Sequence, residues 1–209
     1  MAGLESLRGS VYGIIAPLID ALVRRRVHPN LLTTLGFVST LLAGLAFHQH
    51  MVRVAGFLIL LGGFFDILDG RVARLSDLGS KFGAFYDSTL DRISEIVVFI
   101  GILSLYNDYR QELGDVGMIY LIYLAMAGSL MISYTRARAE ALGLDCKVGL
   151  MPRAERVVLI GGASLFFGDM WNGLALKVVI VILAILTNLT AFQRIIWVYR
   201  HARGVPLDE

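Results

Sequence analysis

Four aspartates stand out by type and spacing. Asp66 and Asp69 are three residues apart, and Asp87 and Asp91 are four apart, so on helices each pair projects from one face. Both pairs lie at the ends of long apolar runs, where crowded carboxylates repel one another and are costly to desolvate unless something neutralises them. Hard divalent cations do this best, because Mg²⁺, Mn²⁺ and Ca²⁺ prefer oxygen ligands, and two ions sharing carboxylates can clamp a phosphoryl group. The lone cysteine, Cys146, and the four histidines make no zinc-type cluster. Gly70 and Gly83 let backbone, ligand and a facing helix approach closely. Arg74 and Lys81 supply positive charge for phosphate oxygens. The plainer alternative is a set of solvated helix ends paired with Arg71, Arg74 and Arg92. Four acids at helical spacing on consecutive apolar helices favour the metal centre.

A second cluster is basic. Ser133 and Arg136 lie three apart, Arg153 and Arg156 are likewise three apart after Pro152, and Arg194 follows in the last apolar run. Arginines converging near a helix N-terminus make an anion site, most naturally for phosphate. Arg200 and Arg203 read instead as headgroup anchors.

The elements that must position these groups follow from composition. Of 209 residues, 56% are hydrophobic and 17% charged, with a mean hydropathy of +0.69. That is too apolar for a soluble globule of this size. Six apolar stretches, at about 31–49, 53–73, 84–106, 117–139, 154–168 and 172–199, approach or reach the length needed to cross a hydrocarbon core of about 30 Å. In lipid each must be helical. The predicted architecture is an all-α integral membrane protein with six transmembrane helices. An antiparallel hairpin of the second and third spans would bring the aspartate pairs together. Only Arg53, Arg110 and Lys177, of 19 Lys and Arg, fall on the far side, which places both termini and the acid cluster in the cytoplasm of a multi-pass cell-membrane protein. Residues 1–30 predict an amphipathic juxtamembrane helix on that face, with Arg24–Arg26 near anionic headgroups. Residues 31–200 form the six-helix domain and 201–209 a tail. A net charge of +2 gives no basis for nucleic-acid binding, and a single cysteine excludes an intrachain disulfide.

Written out, the acidic segment is D-x2-D-G-x2-A-R-x8-G-x3-D-x3-D, fixing eight residues over 26 positions. It resembles at every fixed position the motif of the CDP-alcohol phosphotransferases. The resemblance implies displacement of CMP from a CDP-linked lipid such as CDP-diacylglycerol by an alcohol hydroxyl, with Mg²⁺ or Mn²⁺, two ions per site, in a homodimer among membrane lipids. It implies metal ligation by Asp66, Asp69, Asp87 and Asp91, with Asp91 also taking the proton of the attacking hydroxyl. Asp69, Gly70 and Arg74 resemble residues lining the CDP-lipid site, as do Pro29, Asn30 and Thr33, although an aspartate often stands where Asn30 does. Ser80, Lys81 and Gly83 fall in the same site.

The stretch S-Y-x-x-A-R-A-E-A-x-G followed by R-x-E-R is similar to the phosphatidylinositol-phosphate synthases and their archaetidylinositol-phosphate relatives. That similarity implies inositol phosphate as acceptor, held by Ser133, Arg136, Arg153, Arg156 and Arg194. The alternatives are a phosphatidylglycerol-phosphate synthase using glycerol 3-phosphate and, outside enzymes, a divalent-cation channel or transporter. Against the latter, the acids gather at one face and no inverted repeat is visible.

Overall fold

The structure is a computed structural model that describes residues 15–108 and 116–202. All regular structure among them is helical. A short helix, α1 (15–24), precedes α2 (Pro29–His48), α3 (Val52–Leu75), α4 (Lys81–Asp108), α5 (Val116–Ala141), α6 (Arg153–Gly162) and α7 (Met170–Ala202). Three of these, α2, α5 and α7, are long and apolar enough to cross a membrane. Helices α3 and α4 are longer than α2 but carry the charged groups of the site.

The six longer helices close into a ring in the order α3, α2, α4, α5, α7, α6 and back to α3. The α3–α4 hairpin expected from the sequence does not form. Helix α2 packs on both, and α3 and α4 do not pack on each other. The physical reason is the small-residue faces of α2, which let it approach both neighbours closely: a Cβ on Gly36 would stand 3.2 Å from the Gly62 carbonyl oxygen of α3. Where α2 crosses α4, a Cβ on Gly101 would stand 2.7 Å from the Gly44 carbonyl oxygen, so that crossing needs glycine.

Polar side chains tie neighbours across the ring. Ser39 donates to the Leu58 carbonyl at 2.8 Å, Thr34 meets the Tyr86 hydroxyl at 3.1 Å, and Asn188 donates to the Leu124 carbonyl at 3.0 Å. Such bonds spare polar groups from facing hydrocarbon. The main core gathers Phe47, Phe99, Ile102, Ile122, Ile180 and Leu183. The outer surface is equally apolar: Leu31, Leu35, Val38, Leu42 and Leu45 run along the exposed side of α2 at helical spacing. An apolar exterior over an apolar core is the pattern of a helix bundle solvated by lipid.

Two elements depart from the expected spans. Helix α6 runs ten residues and continues through a π-helical turn, Ala163–Phe167. At 1.5 Å per residue the pair rises only about 22 Å. In α7 the left-handed residues Trp171, Asn172 and Gly173 leave a regular helix only beyond them. The N-terminal amphipathic helix is described only for 15–24. There Ile19 is buried in a cluster with Leu32, Leu68 and Val72, while Arg24, Arg25 and Arg26 are exposed. Residues 1–14, 109–115 and 203–209, with Arg110 among them, lie outside the described residues.

Candidate active site

Antiparallel succession places the start of α2, the latter part of α3 and the starts of α4 and α6 at one end of the ring. Each brings a functional side chain. Helix α2 begins with Pro29 in its first turn, capped by His28, whose Nδ1 accepts from the Asn30 amide at 3.2 Å. Helix α4 is capped by Ser80, whose Oγ accepts from the Gly83 amide at 2.9 Å, satisfying a donor that the helix cannot. Burial of Ile19, Leu68 and Val72 behind α3 holds its last turns in place.

Asp66, Asp69 and Asp87 converge, each with a carboxylate oxygen within 4.8 Å of the others. Asp69 is 5% exposed. Oδ2 of Asp69 and Oδ1 of Asp87 are buried without a hydrogen-bond partner. Buried carboxylate oxygens are normally paired, and three oxygens converging in this way form a donor set suited to a hard divalent cation. The residues therefore fit the metal inferred from the motif. The cleft they share is completed by Thr33, Thr40 and Gly62 and by Arg153 from α6.

Asp91 stands beside the trio rather than within it. Its Oδ1 accepts from Nη2 of Arg153 at 2.7 Å, while Nη1 of Arg153 lies 3.2 Å from Asp66. Arg153 thus bridges an acid of α3 and an acid of α4 from the facing helix. Arg92 is only a distant partner, 3.9 Å from Oδ2 of Asp91, and donates instead to the Ser88 carbonyl.

The residues assigned to a CDP-lipid site surround this cleft. Asn30 and Gly83 approach so closely that a Cβ on Gly83 would stand 3.0 Å from the Asn30 Oδ1. Thr33 donates to the Pro29 carbonyl at 3.2 Å. Arg74 folds back over Gly70, and Arg74, Ser80 and Lys81 are exposed at the rim.

The five residues assigned to an acceptor phosphate are not equivalent. Arg153 faces the acids. Arg156, 2% exposed, directs Nε to Oε1 of Glu95 at 2.6 Å, Nη2 to its Oε2 at 3.2 Å, and Nη1 to the Met151 carbonyl at 2.8 Å. Arg194 is buried and donates to the Val148 carbonyl at 2.8 Å and to that of Ile132. Arg136 is half-exposed and pairs with Glu140 at 2.8 Å. Ser133 is partly buried on the same helix. The charges of Arg136 and Arg156 nonetheless act on Arg194.

Sequence reasoning passed over Glu95 and Ser129, whose Oγ donates to Oε1 of Glu95 at 2.6 Å. A signal was present, since Asp87, Asp91 and Glu95 continue one four-residue spacing along α4.

Carboxylates poised for a divalent ion, rimmed by arginines at one end of a lipid-type helix bundle, define a site for phosphoryl chemistry on an amphiphilic substrate. The sequence profile of the CDP-alcohol phosphatidyltransferases matches residues 26–199, and the chain belongs to that family. It is 35% identical to the archaetidylinositol phosphate synthase of Pyrococcus horikoshii over 92% of this chain and 94% of that protein. It is 32% identical to the phosphatidylinositol phosphate synthase of Cutibacterium acnes over 94% and 98%. The crystal structure of the Mycobacterium tuberculosis phosphatidylinositol phosphate synthase with CDP-DAG bound superposes with a TM-score of 0.77 at 30% identity, covering 89% of this chain and 94% of that one. A second structure of that enzyme, with manganese and citrate, also gives a TM-score of 0.77.

Proposed function

We propose that this enzyme transfers the phosphatidyl group of CDP-diacylglycerol to a hydroxyl of inositol phosphate, releasing CMP and leaving phosphatidylinositol phosphate in the membrane. The observation that carries this reading is the convergence of Asp66, Asp69 and Asp87 with two partnerless oxygens, beside Asp91 and Arg153. The names of the aligned relatives support inositol phosphate over glycerol 3-phosphate, and the arginines near the acids suit a phosphorylated acceptor of either kind.

Asp66, Asp69 and Asp87 would hold the first of two ions, and Asp91 would contribute to the second. When bound, Mg²⁺ or Mn²⁺ neutralises the pyrophosphate and stabilises the departing CMP. Around the cleft, Asn30, Thr33, Gly70 and Gly83 present short side chains or bare backbone to the nucleotide, and Arg74 and Lys81 meet phosphate oxygens at the rim. The acceptor hydroxyl oxygen attacks the phosphorus that carries the diacylglycerol. The bond from that phosphorus to CMP breaks, and the hydroxyl proton passes to Asp91. An alcohol is a poor nucleophile at neutral pH, so a carboxylate within hydrogen-bond reach is required. Arg153 leaves Asp91 to take the acceptor's phosphate, with Ser133, Arg136, Arg156 and Arg194 completing that pocket.

Six spans, α2 to α7, with both termini and the site in the cytoplasm, fit the placement of the basic residues. The short α6 with its π turn would cross by local thinning or by shelter against α3 and α7. Association as a homodimer follows the family resemblance.

The test is CMP release by the purified protein in detergent, with CDP-diacylglycerol and Mg²⁺, offering inositol 1-phosphate, free inositol and glycerol 3-phosphate in parallel. Release with inositol 1-phosphate alone is expected. Release only with glycerol 3-phosphate would keep the transfer chemistry and overturn the acceptor.

A further inference from the structure

The end of the ring opposite the acids carries a set of residues that the transfer reaction does not use. Arg53 lies in the first turn of α3, about 20 Å along the helix from Asp66. It is exposed, and its side chain lies against Gly168, where a Cβ would stand 2.7 Å from Cγ and 2.8 Å from Nε of Arg53. No carboxylate of the described residues forms an ion pair with it, although Asp169 follows Gly168 directly. On either side of Gly168 in the chain are Phe167 and Trp171, and both line a groove of about 540 Å³ between α6 and α7. Val158, Gly162, Leu174 and Val178 line it further, and no charged side chain does.

Two departures from α geometry meet at this groove. One is the π-helical turn Ala163–Phe167, a feature that recurs at functional sites. The other is the positive φ of Trp171 and Asn172, 52° and 55°. Left-handed backbone is costly for a bulky residue, and such strain gathers where ligands are clamped. Here the Phe167 and Trp171 rings, 6.2 Å apart between centroids, close one end of the groove beside Gly168 and Arg53.

In a bilayer an open, uncharged groove is filled by hydrocarbon. A methylene is about the size of a water molecule, about 30 Å³ in the liquid, so the volume suits one acyl chain. Tryptophan favours the level of the headgroups, and a guanidinium is the natural partner of a phosphate. We propose that the groove and Arg53 form a binding site for an anionic phospholipid in the leaflet opposite the acids. One acyl chain lies between α6 and α7, Trp171 sits at the level of the glycerol, and Arg53 meets the phosphate. An anionic lipid is preferred because a zwitterionic headgroup carries its own cation in competition with Arg53.

The test uses the full chain, stripped of lipid in detergent and titrated with phosphatidylglycerol or phosphatidylcholine of the same acyl chains. Bound lipid is read by native mass spectrometry, and the midpoint of thermal unfolding is followed in parallel. Phosphatidylglycerol should bind more tightly than phosphatidylcholine and raise the midpoint further. Arg53→Gln should cost about fivefold in affinity for phosphatidylglycerol and remove most of its advantage. Gly162→Leu fills the groove without a clash, since nothing lies within 4 Å of a Cβ there, and it should weaken retention of both lipids. Val158→Trp, at an exposed position of the same wall, serves as a second filling variant. Lipid retention unchanged in both filling variants, or an unchanged preference for phosphatidylglycerol in Arg53→Gln, would overturn the site. A fall in oligomeric mass in the filling variants with lipid binding intact would give the groove to a second copy and also overturn it. Both readouts are independent of turnover, so they decide the lipid site whichever acceptor the enzyme uses.

Discussion

At the scale of single residues, the acids and Arg153 divide the work, and each division has its own measurement. Asp91→Asn keeps the hydrogen bond geometry but cannot accept the acceptor's proton, so kcat should fall by about 10²–10⁴ while CDP-diacylglycerol binding persists. Near-normal turnover would remove Asp91 from that role. Arg153→Ala removes a charge-assisted contact, and the KM for the phosphorylated acceptor should rise roughly tenfold or more with the CDP-lipid KM little changed. Most of this is legible in the sequence, because the acids announce themselves by pairing at helical spacing where charge is costly. The paired ends of the acids and arginines are not legible. Arg153, Arg156 and Arg194 look alike as letters, yet one bridges Asp66 and Asp91, one pairs with Glu95, and one donates through Nε and Nη1 to the Val148 and Ile132 carbonyls. Partner choice of that kind depends on which helices face each other, which no local pattern encodes.

At the scale of elements, the α2 seam sets the separation of the acid-bearing helices. Gly101→Leu would drive a branched side chain into the Gly44 backbone, 2.7 Å from where the Cβ alone must sit. Overpacking should cost about 1–3 kcal/mol or more, and the midpoint of thermal unfolding in detergent should fall. A midpoint equal to that of the unsubstituted protein would show that this crossing does not bear on stability. Helix positions along the chain were readable from apolar runs to within a few residues, as with 31–49 against Pro29–His48. The hairpin is not legible, since neighbours in sequence need not be neighbours in space. Chain proximity favours that pairing, but the glycine faces of α2 pack closely on both α3 and α4 and place α2 between them.

At the scale of the whole molecule, the closed ring with an apolar outer face and a charged end suits a bundle in lipid, and the proposed topology can be tested by labelling. With the site in the cytoplasm, a cysteine introduced at exposed Asp77 should react with a membrane-impermeant maleimide only after the inner face is opened. One at exposed Gln49 should react in intact cells. Native Cys146, fully buried, should contribute little background. The opposite labelling pattern would invert the topology. The most direct measurement of the central claim, that Asp66, Asp69 and Asp87 hold the ions the transfer requires, is an Mn²⁺ titration of EDTA-stripped protein. It should follow both bound Mn²⁺ by electron paramagnetic resonance and CMP release, for the unsubstituted chain and for Asp69→Asn. Binding and CMP release should rise together in the former, and both should be lost or shifted to much higher Mn²⁺ in the latter. Full CMP release without metal, or Mn²⁺ binding untouched by Asp69→Asn, would contradict the account.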